Sequence, residues 1–100
     1  MTLHEITDKL VKEFPDEVKG VADYCEMAHA LQEMGQHEMA KRVRAMAKDE
    51  YTHAENIKYL LKMSGVPIAK EHDGAFDMAE KKLEKIYKDW HSNPHMKHYK

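Results

Sequence analysis

The chain has 100 residues, one cysteine and a formal net charge of −2, and 34% of its residues are charged. This length predicts one small domain, which buries only about two-thirds of its unfolded surface, so self-association would help it. The near-neutral charge argues against nucleic acid and membranes as partners, and a single cysteine excludes an intramolecular disulfide. We expect a soluble cytoplasmic protein, because the chain shows neither a signal-peptide pattern nor about 18 consecutive apolar residues.

The first segment predicts a short amphipathic helix that Thr2 is suited to cap. Its apolar residues recur at intervals of three and four: Leu3, Ile6, Leu10, Val11 and Phe14. Proline lacks the N–H donor that a helix interior needs, so we expect Pro15 to end or kink this helix. Proline also suits the first turn of a helix, so a second helix is expected to begin there.

The second predicted helix covers residues 15–34. Its apolar stripe carries Glu17 and also Val21, Tyr24, Met27, Ala28, Leu31 and Met34. Gly20 weakens this helix by about 1 kcal/mol relative to alanine, but it would let another backbone approach closely. Gly35 ends the helix, and the short connection after it predicts an antiparallel neighbour.

The third predicted helix covers residues 36–63. Its apolar stripe consists of Met39, Val43, Met46, Ala47, Ile57, Leu60 and Leu61. We expect the methionines on both stripes to fill the core. Glu50 and His53 interrupt the stripe from within, and polar residues in such a place must be paired, liganded or at a surface.

After the helix stop around Gly65, the sequence predicts a loop over residues 67–74 and a last helix over residues 75–91. The apolar residues of that helix are Phe76, Ala79, Leu83, Ile86, Tyr87 and Trp90. We expect a frayed tail after it, in which His91, His95 and His98 could bind a metal loosely. The fold class is therefore all-α: a helical hairpin over residues 15–64, with short helices before and after it.

Glu50-x-x-His53 is the sequence feature that points to metal chemistry. Residues three apart share a helix face, and a carboxylate with an imidazole suits several divalent metals. Glu17 and Glu50 lie about 27 and 22 Å from the Gly35 turn at 1.5 Å per residue, so an antiparallel hairpin places them level. A second pair, Glu26-x-x-His29, is closer to the turn and rotated away from Glu17, and we interpret it as surface.

One hairpin thus presents Glu17, Glu50 and His53 at one level of its apolar face. Two hairpins related by a two-fold axis would form a four-helix bundle with four carboxylates and two imidazoles at its centre. That is the ligand set of a di-iron carboxylate site. Four carboxylates would also balance the charge of two divalent ions, whereas without metal they would have to share protons.

The segment from Glu17 to Leu61 resembles half of a ferritin-like bundle of the rubrerythrin type. The first glutamate, the glycine turn and Glu-x-x-His match in spacing, and Tyr24 matches a tyrosine often found near the metals. Because the chain holds one hairpin, the arrangement is similar to that of the encapsulated ferritins, whose iron site lies between two subunits. The single Cys25 rules out the rubredoxin segment of rubrerythrins.

The resemblance implies a homodimer, or a multiple of dimers, that oxidises Fe(II) with dioxygen or peroxide. It also implies a further partner, a protein shell that encloses these dimers. Glu17, Glu50, His53 and Tyr24 would serve this ferroxidase activity. Two other functions stay open: a non-enzymatic helical dimerisation module, and a protein that buffers zinc or manganese.

Simpler roles also remain for the individual residues. Glu17 could be a first-turn acid that stabilises its helix. Glu50 and His53 could be a solvated pair at a helix edge. Tyr24 could be a core aromatic, and we expect Cys25, off the main stripe, to be inert.

Overall fold

One continuous helix takes the place of the two that the sequence predicts before the Gly35 turn. The structure is a computed structural model that describes residues 1–92, with side chains up to residue 89. Over these residues it contains three α-helices and no strand: α1 at Leu3–Glu33, α2 at His37–Met63 and α3 at Lys70–Ser92. The all-α class is confirmed. The predicted tail with His95 and His98, and the side chain of His91, lie outside the described residues.

Helix α1 begins as predicted but does not end at Pro15. The hydroxyl of Thr2 accepts a hydrogen bond from the Glu5 backbone N–H at 3.1 Å, and the Glu5 carboxylate accepts one from the Thr2 N–H at 3.4 Å, which completes a capping box. The prediction of a break at Pro15 is wrong. Phe14 and Val18 are both buried on one stripe that continues across the proline, so packing offsets the missing hydrogen bond.

The turn between α1 and α2 confirms the role expected of Gly35. Its φ of 79° lies in the left-handed region that glycine adopts without strain. The Gly35 N–H donates to the carbonyl of Gln32 at 3.0 Å, and the Gln36 N–H donates to that of Leu31 at 2.9 Å. This is a Schellman motif, which stops α1 and sends the chain back along it as α2. The same motif ends α2, where Gly65 has a φ of 70°.

Helix α3 begins at Lys70 rather than at the predicted residue 75, so the prediction of a loop is wrong for residues 70–74. The carbonyl of Ala69 accepts hydrogen bonds from the N–H groups of His72 and Asp73, both at 3.0 Å. Acidic side chains in this first turn complement the positive end of the helix. Gly74 lies within α3 without breaking it.

Helix α3 packs against one face of the α1–α2 hairpin. Phe76 enters the core and its ring lies 5.8 Å from that of Phe14. An ion pair of 2.8 Å between Lys58 and Asp73 joins α2 to α3 at the surface. The core comprises Phe14, Val18, Val21, Cys25, Ala47, Ala54, Ile57, Leu61, Phe76, Ala79 and Leu83. None of the described helices has the length and apolar character that crossing a membrane requires.

In the described part of the chain the opposite face of the hairpin is exposed, and we call it the open face. It is defined by Met27 and Met34 on α1 and by Met39, Met46 and Leu60 on α2, whose exposed fractions range from 43% to 69%. The expectation that these methionines fill the core of the chain is wrong. The apolar stripes of α1 and α2 are each wider than the surface that one neighbouring helix covers. One side of each stripe therefore packs against α3, and the other side is exposed.

Candidate metal centre

The structure brings Glu17, Glu50 and His53 together in the middle of the hairpin. One ligand atom from each of the three side chains lies within 4.8 Å of the other two. The Nδ1 atom of His53 is 3.6 Å from Oε2 of Glu17 and 3.9 Å from Oε1 of Glu50. Among the side chains that the structure describes, residues 1–89, these three form the one group of this kind among acidic, histidine and cysteine residues.

The group belongs to the open face. Met39, Met46, His53 and Leu60 follow one another at intervals of seven along α2, which keeps them on one side of the helix. The side chain of His53 is 57% exposed, whereas those of Glu17 and Glu50 are 21% and 27% exposed. The two carboxylates therefore lie in the groove between α1 and α2, and the imidazole stands at its outer edge.

The second pair, Glu26-x-x-His29, lies elsewhere, and its interpretation as surface is confirmed. Both residues are exposed. The Glu26 carboxylate pairs with Lys82 at 3.4 Å, and His29 pairs with Glu33 at 3.7 Å. The Glu-x-x-His pattern thus occurs once in a groove beside another glutamate, at Glu50 and His53, and once in solvent, at Glu26 and His29. The exposed pair can therefore serve as a control for the pair in the groove.

Crowding of the two carboxyl groups changes their acid–base behaviour. The pKa of Glu50 is raised to about 7, chiefly by a hydrogen bond with the Glu17 side chain and further by burial and by the negative charge of Glu17. A nearby positive charge on His53 acts in the opposite direction. Below about pH 7 the protein without metal therefore holds a proton between two acids that could otherwise balance a cation.

The donor atoms fit a divalent metal ion. Oxygen and nitrogen ligands lie about 2.0–2.2 Å from such an ion, so two donors on one ion are at most about 4.4 Å apart. The two distances from Nδ1 of His53 to the carboxylates, 3.6 and 3.9 Å, lie within that limit, and all three ligand atoms lie within 4.8 Å of one another, close to it. When both carboxylates are ionised they cannot share a proton, and the buried Oε2 of Glu17 then has no hydrogen-bond partner, although buried oxygen atoms normally have one. A cation among these atoms would give that oxygen its missing partner.

Three donors leave coordination positions open. Structural zinc sites use four protein ligands, and most hard divalent ions take six or more. One chain alone therefore offers an incomplete site whose imidazole side is accessible. Such a site can accept a substrate, or further ligands from a second protein surface.

Tyr24 is half-buried and packs against the core two turns after Glu17. Its predicted role beside the metals stays a prediction. The prediction that Cys25 lies outside the stripe is wrong, because the residue is 5% exposed within the core. Burial raises the pKa of its thiol to about 11, which keeps it protonated and unreactive near neutral pH.

Sequence reasoning missed Tyr51, which connects the helix that carries Glu50 to α3. Its hydroxyl donates a hydrogen bond to Glu80, and its ring stacks on Phe76 with 5.2 Å between the ring centres. Phe76 and Glu80 are four residues apart, so they lie on one face of α3. The spacing of Phe76 and Glu80 was the sequence signal for this contact. It becomes informative only when α2 is known to pack against that face of α3.

Comparison with models of known protein families, with curated proteins and with solved structures found no match to this chain.

Proposed function

We propose that two copies of the chain associate through their open faces and bind two iron ions per dimer, which they oxidise from Fe(II) to Fe(III). Each ion would be held by Glu17, Glu50 and His53. The observation that carries this proposal is the convergence of these three donors within 4.8 Å on an uncovered apolar face. The function is that of a ferritin-like ferroxidase.

The apolar surroundings support the association of two copies. Met46 and Leu60 lie one heptad before and after His53, and both are about half exposed in the single chain. Contiguous apolar surface on a small protein typically marks an interaction site. A two-fold axis through the centre would cover these side chains and would place Glu50 and His53 opposite their own copies.

Charge supports the same arrangement. Each chain contributes two carboxylates, so one divalent ion per chain is neutralised without another protein group. Binding the ion would release the proton that Glu50 retains, because a cation stabilises the ionised carboxylate. The neutral imidazole of His53 would add a nitrogen donor without adding charge.

The reaction balances with iron as the substrate. Two Fe(II) ions supply two electrons, one from each ion. With two protons these electrons reduce dioxygen to hydrogen peroxide, or hydrogen peroxide to two molecules of water. The chain's residues would fix the ligand geometry and leave positions open for the oxidant. Tyr24, two turns along α1 from Glu17, is the aromatic residue that the proposal places beside the centre.

Fe(III) would then leave for storage, and a surrounding protein shell is the partner that the resemblance to encapsulated ferritins suggests. The same donors also suit zinc or manganese, because a carboxylate and imidazole set does not select among first-row ions by itself. A buffering protein for these metals is therefore the second candidate. A third is a non-enzymatic dimerisation module, which the exposed methionines favour independently of any metal.

Iron content and oxygen uptake of matched variants test the proposal. We expect the wild-type protein and Glu26→Ala to bind two irons per dimer and to consume oxygen when Fe(II) is added. Glu50→Ala should lose both properties, although each substitution removes one glutamate from the same four-residue pattern. Equal iron content and equal uptake in Glu50→Ala would overturn the proposal. A dimer whose stability does not change when a chelator removes the metal would favour the dimerisation module instead.

A further inference from the structure

Gly20 lies one turn after Glu17 on α1, and its missing side chain leaves room for a metal ligand. A Cβ atom built at this position would lie 2.8 Å from Oε2 of Glu50 and 3.3 Å from its Cδ and Cγ. Real Cβ atoms do not approach other heavy atoms as closely as 2.8 Å. The carboxylate of Glu50 therefore occupies space that any other residue at position 20 would fill.

The sequence gives a reason to expect a close approach at Gly20, but it suggests a backbone as the neighbour. The atoms that approach are instead those of the Glu50 side chain. Glycine in the middle of a helix is unfavourable relative to alanine. Gly20 carries that disadvantage at a point of α1 where the Glu50 carboxylate of α2 approaches the helix.

We propose that Gly20 is a positioning residue, which sets the location of the Glu50 carboxylate beside Glu17 and so sets the affinity of the centre for divalent metal. This inference rests on the proposed metal site. A methyl group at position 20 would push the carboxylate out of the groove. Because the atom in conflict is the end of a flexible side chain, the helices would keep their places while the ligand moved.

Gly20→Ala is the direct test, with Co(II) as the probe because its binding is followed by its visible absorption. The protein should fold with a melting temperature at or above that of the wild type, since alanine favours the helix. Its Co(II) affinity should fall about 10- to 100-fold, the loss typical when a group that orients a ligand is changed. Gly74→Ala is the control, because nothing lies within 4 Å of a Cβ at that exposed position of α3.

The Glu50→Ala background shows whether Gly20 acts through Glu50. There, adding Gly20→Ala should cause no further loss of Co(II) binding, and it should raise the melting temperature as Gly74→Ala does. If Gly20→Ala fails to fold alone, the double variant should fold, because the conflict is then gone. Failure of both to fold would overturn the inference, as would wild-type affinity in Gly20→Ala.

The outcomes also separate this inference from the proposed function. If Glu50→Ala binds Co(II) as tightly as the wild type, the metal site itself is wrong. If Glu50→Ala loses binding while Gly20→Ala keeps it, the metal site stands and the positioning role of Gly20 is wrong.

Discussion

The imidazole of His53 on α2 lies 3.6 Å from the carboxylate of Glu17 on α1, so two residues distant in sequence share one groove. The Gly35 turn creates this relationship. The turn determines which residues of α1 lie level with which residues of α2. As a result Glu17 lies beside Glu50, whereas Glu26 does not. The properties of the groove lead to several measurable consequences.

The first prediction concerns pH. The pKa of Glu50 is about 7 in the folded chain, above its ordinary value of 4.5. The folded state therefore binds this proton more tightly than the unfolded state. The resulting contribution to the free energy of unfolding is fully present below about pH 4.5 and is lost as the pH rises through 7. The melting temperature of the metal-free protein should fall between pH 5 and pH 8. Thermal melts of the wild type and Glu50→Gln check this.

Glu50→Gln serves as the control because its amide resembles the protonated acid and does not titrate. Its melting temperature should change less over the same range. Other groups contribute to both proteins alike, so the difference between the two curves isolates Glu50. Parallel curves would contradict the prediction.

A second prediction follows from the open face. Met46→Glu should weaken self-association, because burying a charge in an apolar contact is costly. The stability of the single chain should change little, since Met46 is 43% exposed there. Met78→Glu is the matched control on α3, where the methionine is also exposed. Sedimentation at several concentrations would show the difference, and equal dimerisation of both variants would argue against the open face as the interface.

A third prediction concerns Pro15, which α1 accommodates in its interior. Proline in a helix interior costs about 3 kcal/mol, through the lost hydrogen bond and the crowding of its ring against the preceding turn. Pro15→Ala should therefore raise the free energy of unfolding by about 1–3 kcal/mol, measured by chemical denaturation. Pro67→Ala, in the segment between α2 and α3, should not. A less stable Pro15→Ala would mean that the half-buried ring contributes more through packing than it costs.

A fourth prediction concerns the thiol of Cys25. Burial raises its pKa to about 11, and only the thiolate reacts readily with alkylating reagents. Iodoacetamide at pH 8 should modify the folded protein far more slowly than the protein unfolded in urea. Mass spectrometry over time measures both rates. Similar rates would show that the core around Cys25 opens readily.

Much of this architecture could be predicted from local signals. The capping box at Thr2, the glycine turn and the bounds of α2 follow from short sequence patterns with a direct structural meaning. That Glu17 and Glu50 lie at the same level follows from helix rise alone, because the distance of each residue along its helix is counted from the same Gly35 turn. The level at which the candidate ligands meet could therefore be predicted from the sequence.

The remaining features depend on packing that a sequence pattern does not contain. The break expected at Pro15 failed because a buried stripe on both sides of it holds the helix together. The methionines were expected in the core because periodicity identifies an apolar face but does not say whether the same chain covers it. Likewise, the contact of Gly20 with Glu50 depends on the relative rotation of two helices.

Anomalous scattering at the iron edge, from crystals of the iron-loaded protein, tests the central claim most directly. We expect two iron ions at a two-fold interface between open faces, each bound by Glu17, Glu50 and His53. Iron bound elsewhere on the chain, or a dimer whose interface leaves these three residues in solvent, would contradict it.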